Sequence, residues 1–193
     1  MSEYVVGITG ASGSVYGIRL VEKLARKNFH VHVVITSAGK KVMAEEVGTS
    51  DFFHAIKGRH AKKENITLWD NDDFTAPFMS GSSAPDAVIV IPCSVGKLAA
   101  LSKGISTNLL ERTADVALKE RRRLILVVRE TPFSIIHLEN MLSLAKAGAQ
   151  IMPAMPAFYH HPKTVSDMVD FIVGKVLNLL NIKHKLFKRW KVQ

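Results

Sequence analysis

Residues 4–13 read YVVGITGASG, an apolar run that ends in glycine, threonine and serine. The following residues, 15–26, carry apolar side chains at helical spacing, at Ile18, Val21, Leu24 and Ala25. A short buried strand that passes through small residues into an amphipathic helix is typical of a parallel α/β sheet. This unit sets the expectation for the fold, and the rest of the chain repeats its order.

Strand-like and helix-like segments alternate along the whole chain. Short apolar runs predict strands at residues 31–35, 87–91, 124–128 and 149–152. Helical spacing predicts helices at residues 39–47, 98–101, 109–118, 135–147 and 164–180, and Thr164 with Asp167 can cap the last one. Such alternation predicts one α/β domain, residues 1–182, with an open, doubly wound and mainly parallel sheet. A basic tail, KHKLFKRWKVQ, follows at residues 183–193.

The composition excludes several classes of protein. Apolar residues make up 47% of the 193, which excludes a disordered chain, and no apolar run is long enough to span a membrane. A single cysteine excludes an intrachain disulfide, and the N-terminus lacks the pattern of a secretory signal, so we expect a cytoplasmic protein. The formal net charge of +9 fits anionic small molecules or simple solubility, and nucleic acid is the less favoured alternative.

Residues at the strand ends are the candidate functional residues, because open α/β sheets bind ligands beyond the carboxyl ends of their strands. After the first strand, residues 7–13 have the spacing GxxGxxG rather than the GxGxxG of dinucleotide sites. Small residues before a helix suit an anionic ligand, although a tight turn without a ligand is the alternative. After the second strand, Thr36 and Ser37 suit a phosphate rather than a nicotinamide ribose, unless they only cap the next helix.

Two further strand ends carry candidate residues. Residues 92–97, PCSVGK, again place small residues before a helix, and we expect Cys93 to be a packed side chain rather than a nucleophile. Arg129 and Glu130 follow the strand at 124–128. There they suit an anion clamp beside an acid–base carboxylate, with a surface ion pair as the alternative.

Two stretches outside the strand ends also bear on function. Residues 70–85, DNDDFTAPFMSGSSAP, are rich in turn formers, and we expect so long a loop to lie over the binding edge. The adjacent His160 and His161 suggest a metal, but neighbouring residues rarely converge on one ion, so we predict no metal site.

Six stretches stand out together, in this order along the chain. They read GITGASG (7–13, followed by Tyr16-Gly17), VMAEE (42–46), SGSSAPDAVIVIPCS (80–94), NLLERTADVALKERR (108–122), RETPFSIIHLENM (129–141) and PAFYHHP (156–162). With these stretches the sequence resembles the UbiX-type flavin prenyltransferase family over nearly its whole length.

The resemblance implies a Rossmann-like flavoprotein that forms a homo-oligomer, usually a dodecamer. Members of this family join a dimethylallyl group to N5 and C6 of reduced FMN, and they need no metal ion. The donor is dimethylallyl monophosphate in most members and the pyrophosphate in some. The product, prenylated FMN, serves UbiD-type decarboxylases, so such an enzyme is the expected recipient.

The resemblance also implies roles for single residues. It assigns flavin binding to Gly10, Ala11, Ser12, Thr36, Ser94, Val95, Gly96, Lys97 and Arg129. It assigns binding of the prenyl donor to Tyr159, Lys175 and Phe74. Phe74 occupies the position where some relatives carry tryptophan. It assigns the chemistry to Ser12, Glu46, Lys119 and Glu130. Other subunits of the oligomer are expected to complete the site.

Two other functions remain open at this point. A non-catalytic flavin-binding subunit of a decarboxylase system would keep the flavin turns but would not need Glu46, Lys119, Glu130 and Tyr159. A flavin-dependent cysteine decarboxylase of the same fold carries a PASANT-like motif, whereas this chain reads PCSVGKL at residues 92–98. Lys97 departs from the threonine of some family members, which leaves its flavin contact open.

Overall fold

The computed structural model describes residues 2–56 and 61–188. Within these residues there are six strands: β1 (Glu3–Ile8), β2 (His30–Ile35), β3 (Ile66–Trp69), β4 (Ala87–Cys93), β5 (Arg123–Val128) and β6 (Gln150–Pro153). All are parallel and form one sheet in the order β3-β2-β1-β4-β5-β6. The chain reverses its direction across the sheet between β1 and β4, where sheets of this kind bind ligands.

Helices cover both faces of the sheet. One face carries α1 (Ser14–Arg26), α2 (Ser37–Val47), α3 (Phe52–Ala55) and α7 (Val165–Leu179), and the other carries α4 (Val95–Ser102), α5 (Leu109–Lys119) and α6 (Ile135–Lys146). Each face has its own apolar core, which confirms the predicted doubly wound α/β fold. The predicted cap of α7 is also present: Thr164 accepts a hydrogen bond from the Asp167 N–H at 3.2 Å, and the Asp167 carboxylate accepts one from the Thr164 N–H at 2.9 Å.

The central strands are apolar throughout because successive side chains enter opposite cores. Val6 and Ile89 belong to the core beneath α1 and α7, whereas Val5 and Val90 belong to the core beneath α4 and α5. All four side chains are fully buried, and complete burial of one such side chain contributes about 1.5–3 kcal/mol. The continuous apolar runs that predict these strands follow directly from burial on both faces.

The sequence does not predict the edge strand β3 or the short helix α3. Only four residues form β3, and Leu68 among them is 40% exposed. An edge strand of this kind lacks the buried apolar run by which the inner strands are recognised.

The long stretch at residues 70–85 does not lie over the carboxyl edge of the sheet as expected. It begins there, where the Asn71 carbonyl accepts a 2.7 Å hydrogen bond from the first N–H of α5. It then runs along α5, buries Phe78, and places Gly81 against Glu120, just beyond the far end of that helix. The apolar side chains within the stretch draw it onto the core of that face.

The predicted basic tail is described in part. Residues 183–188 pack against α7, and residues 189–193 lie outside the described residues. Within residues 2–56 and 61–188, no helix combines the length and the apolar character that crossing a bilayer requires.

Candidate functional site

Thr9 ties together the carboxyl ends of β1 and β4. Its hydroxyl donates to the Pro92 carbonyl at 2.8 Å and accepts from the Ser94 N–H at 2.8 Å. The side chain is buried, so both bonds are shielded from water. The turn before α1 is thereby fixed relative to the turn before α4. Sequence reasoning does not single out Thr9, although a hydroxyl directly after a buried strand is the signal that could have found it.

The start of α1 is capped by a carboxylate from another helix. Gly13 precedes α1 with a φ of 106° and has no side chain to act as a cap. Glu46, near the end of α2, accepts hydrogen bonds from the N–H groups of Gly13 and Ser14, both at 2.8 Å. The Ser14 hydroxyl donates a third bond, at 2.7 Å. A negative charge is favourable at a helix N-terminus, and here the protein itself supplies the anion.

These bonds also keep Glu46 ionised. Partial burial by itself would raise the pKa of Glu46, but hydrogen bonds from Ser12, Ser14 and Gly13 outweigh it and lower that pKa. Ser12 and Glu46 are therefore partners at the start of α1. Their assignment to the chemistry stays a prediction.

α2 begins beside the same turn. The Thr36 hydroxyl accepts a hydrogen bond from the Gly39 N–H at 3.0 Å, so the capping contact left open by the sequence is present. A Cβ added at Gly10 would lie 2.6 Å from the Cβ of Ala38, which shows how closely the turn packs on α2. The predicted contact between Thr36 and a phosphate stays a prediction.

Ser94 caps the start of α4, where its hydroxyl accepts a hydrogen bond from the Lys97 N–H at 3.3 Å. A Cβ added at Gly96 would meet no described atom within 4 Å, so this side of the turn is open to a ligand. Cys93, by contrast, is fully buried, which raises the pKa of its thiol to about 12. The expectation that Cys93 is a packed side chain is confirmed.

Lys97 forms a buried ion pair with Glu111 of α5. The Lys97 Nζ contacts Glu111 Oε1, and the two side chains are 13% and 5% exposed. Thr107 donates two bonds to Oε2, at 2.9 Å from its N–H and at 2.7 Å from its hydroxyl. Burial by itself would raise the pKa of Glu111, but the bonds from Lys97 and Thr107 lower it to about 2. Sequence reasoning misses Glu111, because its partner lies on a different helix.

A cavity of about 190 Å³ lies between the turn before α1 and the end of β5. Its walls are formed by residues from three segments: Ser12, Gly13, Tyr16, Val128, Arg129, Glu130, Thr131, Phe133, Ala154 and Met155. Burial raises the pKa of the Tyr16 phenol, and the nearby Arg129 opposes that rise. Three predicted site residues, Ser12, Arg129 and Glu130, therefore meet at this cavity. Sequence reasoning gives Tyr16 no role of its own, and the structure adds it to the site.

Arg129 and Glu130 form no ion pair with each other in the described part of the chain. Arg129 is exposed, and its N–H donates to the Cys93 carbonyl at 3.2 Å, which joins the ends of β4 and β5. Glu130 is half-buried and accepts a 3.0 Å hydrogen bond from the Thr131 N–H. Both charged groups are thus available to a ligand in the cavity.

Lys119 lies apart from the other predicted ligands of the prenyl donor within one chain. Lys119 ends α5 at the far edge of the sheet, about 15 Å along the helix from the carboxyl edge, and pairs with Glu120 at 3.0 Å. Lys175 is exposed in the second half of α7. Tyr159 and Phe74 are 37% and 48% exposed on loops, outside the cavity walls.

Of the two adjacent histidines, His160 packs against α7 and His161 is exposed. The His160 ring stacks on Phe171, with 5.1 Å between ring centroids and 11° between ring planes. Among residues 2–56 and 61–188, the His, Cys, Asp and Glu side chains form no group of three or more that could hold a metal ion.

Similarity to known proteins identifies the family. Residues 2–177 match the Flavoprotein family. A protein of Halalkalibacterium halodurans named flavin prenyltransferase UbiX is 53% identical over 190 residues, which cover 97% of this chain and 92% of that protein. This chain belongs to the UbiX flavin prenyltransferase family. The resemblance carried by the six sequence stretches is thereby confirmed.

Solved structures agree with membership of the UbiX family. AnUbiX (PadA1), in complex with FMN and dimethylallyl pyrophosphate, superposes with a TM-score of 0.90 at 40% identity, covering 100% of this chain and 98% of that one. A dodecameric FMN-dependent Ubix-like decarboxylase from Escherichia coli O157:H7 superposes with a TM-score of 0.88 at 39% identity. The match covers 98% of this chain and 100% of that one. The FMN-dependent cysteine decarboxylase TvaF superposes with a TM-score of only 0.57 at 17% identity. The match covers 78% of this chain and 89% of that one. The cysteine decarboxylases therefore share the fold alone.

Proposed function

We propose that this protein joins the dimethylallyl group of dimethylallyl phosphate to N5 and C6 of reduced FMN, without a metal ion. The observation that carries the proposal is the meeting of Ser12, Arg129 and Glu130 at one cavity beside the flavin turns. A UbiX relative that is 53% identical over nearly the whole chain supports the reaction. A solved relative in complex with FMN and dimethylallyl pyrophosphate supports both substrates.

The residues at the carboxyl edge fit FMN. Glu46 already places a negative charge at the start of α1, so a phosphate there would be repelled. We therefore assign the FMN phosphate to the start of α2, beside Thr36, where the helix N-terminus favours an anion. The open space beside Ser94 and Gly96 then suits the flavin ring, with Arg129 at its edge.

Reduced FMN is the acceptor and supplies the nucleophilic N5 and C6 atoms. The carbon–oxygen bond of the donor breaks, and phosphate leaves with the electron pair. Two bonds form between the dimethylallyl group and the flavin, two protons leave N5 and C6, and one proton is added to the prenyl double bond. Ser12 and Glu130 line the cavity, so we assign the movement of these protons to them, with Glu46 orienting Ser12.

The allylic cation and its leaving phosphate need a particular environment. Cations must hold the phosphate, water must be kept out, and π faces must surround the cation. We assign binding of the leaving phosphate to Arg129, Lys119, Lys175 and Tyr159. Phe74 and the flavin ring supply the π faces that surround the cation.

We further propose that neighbouring subunits of a homo-oligomer, a dodecamer, complete this site. Neither Lys119 nor Lys175 lines the cavity of its own chain, so we assign these two residues to the site of a neighbouring subunit. Four large apolar side chains on α6 are 52–74% exposed: Ile135, Ile136, Leu138 and Leu142. Several large apolar side chains exposed on one helix are typical of a protein interface, and the dodecameric Escherichia coli relative supports the assembly.

Mass spectrometry of the flavin tests the proposed reaction. The protein is incubated without oxygen with reduced FMN and dimethylallyl monophosphate, and in a parallel reaction with the pyrophosphate. We expect the flavin to gain one prenyl group with at least one donor, and the product to activate a UbiD-type decarboxylase that lacks its cofactor. FMN that binds but keeps its mass with both donors would contradict the proposal and favour the non-catalytic flavin-binding subunit.

We place the reaction in the cytoplasm, because FMN and the prenyl donor are both charged phosphate esters that do not cross membranes unaided. Cell fractionation with detection of the native protein tests this. Recovery outside the cytoplasmic fraction would contradict it.

A further inference from the structure

Four aromatic rings connect the loop that carries Tyr159 to the end of the described chain. Tyr159 meets Phe171 of α7 edge-on at 5.9 Å between centroids and meets His160 at 5.8 Å. The His160 ring stacks on Phe171 at 5.1 Å. Phe187 contacts Phe171 at 4.8 Å and His160 at 6.2 Å. We call these four residues the Tyr159 cluster.

The segment 183–188, which includes Phe187, packs on α7 at Gly174. A Cβ added at Gly174 would lie 2.5 Å from Cε1 of Phe187 and 2.7 Å from Cε1 of His184, so glycine leaves room for both rings. His184 Nε2 lies 3.0 Å from Asn178 Oδ1, and the N–H of Leu186 donates to His184 Nδ1 at 3.2 Å. Because Nδ1 is an acceptor, Nε2 carries the proton that Asn178 accepts. The segment is therefore docked on α7 by specific contacts.

His160 contributes to the cluster through the face of its ring. Both ring nitrogens are buried, and neither has a hydrogen-bond partner among the residues that the structure describes. Burial of polar atoms without a hydrogen-bond partner is unfavourable, so no hydrogen bond within the described chain accounts for the position of this ring. The contact that accounts for it is the stacking on Phe171.

Resting on the proposed role of Tyr159 as a ligand of the prenyl donor, we propose that His160 and Phe187 are positioning residues for that ligand. Phe187 packs against Phe171 and His160. These two rings in turn contact Tyr159 and fix the orientation of its side chain. Neither positioning residue contacts the donor. A ligand that is held in place before binding loses less conformational freedom when the donor binds. The docked segment 183–188 thus lowers the KM for the donor and leaves the FMN site unchanged.

Steady-state kinetics of the full-length protein, with dimethylallyl monophosphate as the varied substrate, test this proposal. Phe187→Ala and His160→Ala each remove one ring, and each is expected to raise the donor KM about 2- to 10-fold, the value of an aromatic contact. The kcat and the dissociation constant of FMN are expected to stay at wild-type values. His160→Phe keeps the ring face and is expected to keep the wild-type KM. Lys185→Ala, at an exposed position of the same segment, is the matched control.

Each other outcome overturns the proposal in a recognisable way. An unchanged donor KM in both alanine variants removes the positioning role. A loss in His160→Phe as large as that in His160→Ala assigns the effect to a ring nitrogen rather than to stacking. A joint loss of thermal stability and FMN affinity in Phe187→Ala would make the segment a general structural support. Wild-type protein that forms no prenylated flavin refutes the proposed function and this inference together.

Discussion

The Glu46 carboxylate accepts hydrogen bonds from both the N–H and the hydroxyl of Ser14, at 2.8 and 2.7 Å, and so caps α1 from the end of α2. The two residues are 32 positions apart in the chain. The turn at residues 10–13, which precedes α1, is therefore held by a charge on another helix. Its geometry, and the FMN binding assigned to it, should depend on that charge.

Replacing Glu46 by glutamine removes the charge and leaves one side-chain oxygen to accept hydrogen bonds. We expect FMN to bind about tenfold more weakly, because hydrogen bonds to a charged group contribute about 1.5–3 kcal/mol and solvent screening reduces this at a partly exposed site. Fluorescence titration with FMN measures the effect. Glu45→Gln, the exposed neighbour, is the control. Equal affinities in the two variants would show that the cap does not order the turn.

The buried pair of Lys97 and Glu111 predicts a loss of stability in acid. The pKa of Glu111 is lowered from its ordinary value of 4.5 to about 2 in the folded protein. Its contribution to stability is therefore complete above about pH 4.5 and is lost as the pH falls from there towards 2. Thermal unfolding at a series of pH values should show this decline in the wild type, and Glu111→Gln should flatten it.

At neutral pH, the same Glu111→Gln variant should have a lower thermal midpoint. It leaves the buried Lys97 charge without its partner, a loss that costs about 3–5 kcal/mol. Glu120→Gln is the control, because it breaks the exposed pair with Lys119, and exposed pairs contribute about 0–1 kcal/mol. Equal midpoints for the two variants would contradict a stabilising role for the buried pair.

Tyr159→Phe and Lys175→Ala should each weaken the capture of the prenyl donor. Each variant removes one group from the donor phosphate, which is expected to raise the donor KM about tenfold or more, while FMN affinity is retained. Steady-state kinetics and FMN titration separate the two effects. An equal loss of both would show that these residues support the fold instead.

Co-expression of Lys175→Ala and Glu130→Gln subunits extends this test to the shared site. If one site takes Glu130 and Lys175 from different subunits, some sites of a mixed oligomer keep both residues intact. At a donor concentration below the KM, mixed oligomers should then be more active than either variant alone. Mixed oligomers without recovery would place both residues in the site of one chain.

Glu130→Gln should slow the formation of prenylated FMN about 10²- to 10⁴-fold, the usual contribution of an acid–base group. Glutamine keeps the size of the side chain and can still accept the 3.0 Å hydrogen bond from the Thr131 N–H, so folding and FMN binding should be retained. Rapid-mixing spectroscopy on reduced FMN and the donor measures the rate. Glu64→Gln, an exposed position, is the control. Product formation at the wild-type rate would remove Glu130 from the chemistry.

Ile136→Lys should disrupt the proposed oligomer. The side chain is 67% exposed on α6, and burying a lysine at an apolar interface is unfavourable. Light scattering should give a smaller mass for this variant than for the wild type, with Lys146→Glu on the same helix as the control. A wild-type monomer of 21.3 kDa at micromolar concentration would contradict the oligomer itself.

Much of the fold could be predicted from local sequence. The inner strands are apolar on both faces because both faces are buried, so runs such as 87–91 mark them without knowledge of their neighbours. The small and polar residues that end these strands could be read in the same way, because parallel strands deliver their ends to one edge. Thus the sequence predicts Ser12, Arg129 and Glu130 as site residues, and the structure brings them to one cavity.

The partners of these residues depend on contacts between distant parts of the chain. Thr9 and Ser94 are 85 positions apart, and Lys97 meets Glu111 from another helix. The capping role of Glu46 and the path of residues 70–85 along α5 are likewise set by packing. No local pattern encodes such pairings, because hydrogen-bond and charge partners are fixed only when the helices dock on the sheet. Lys119 and Lys175, the predicted ligands of the prenyl donor, still lie apart in the folded chain. Their meeting at one site therefore depends on the assembly of subunits.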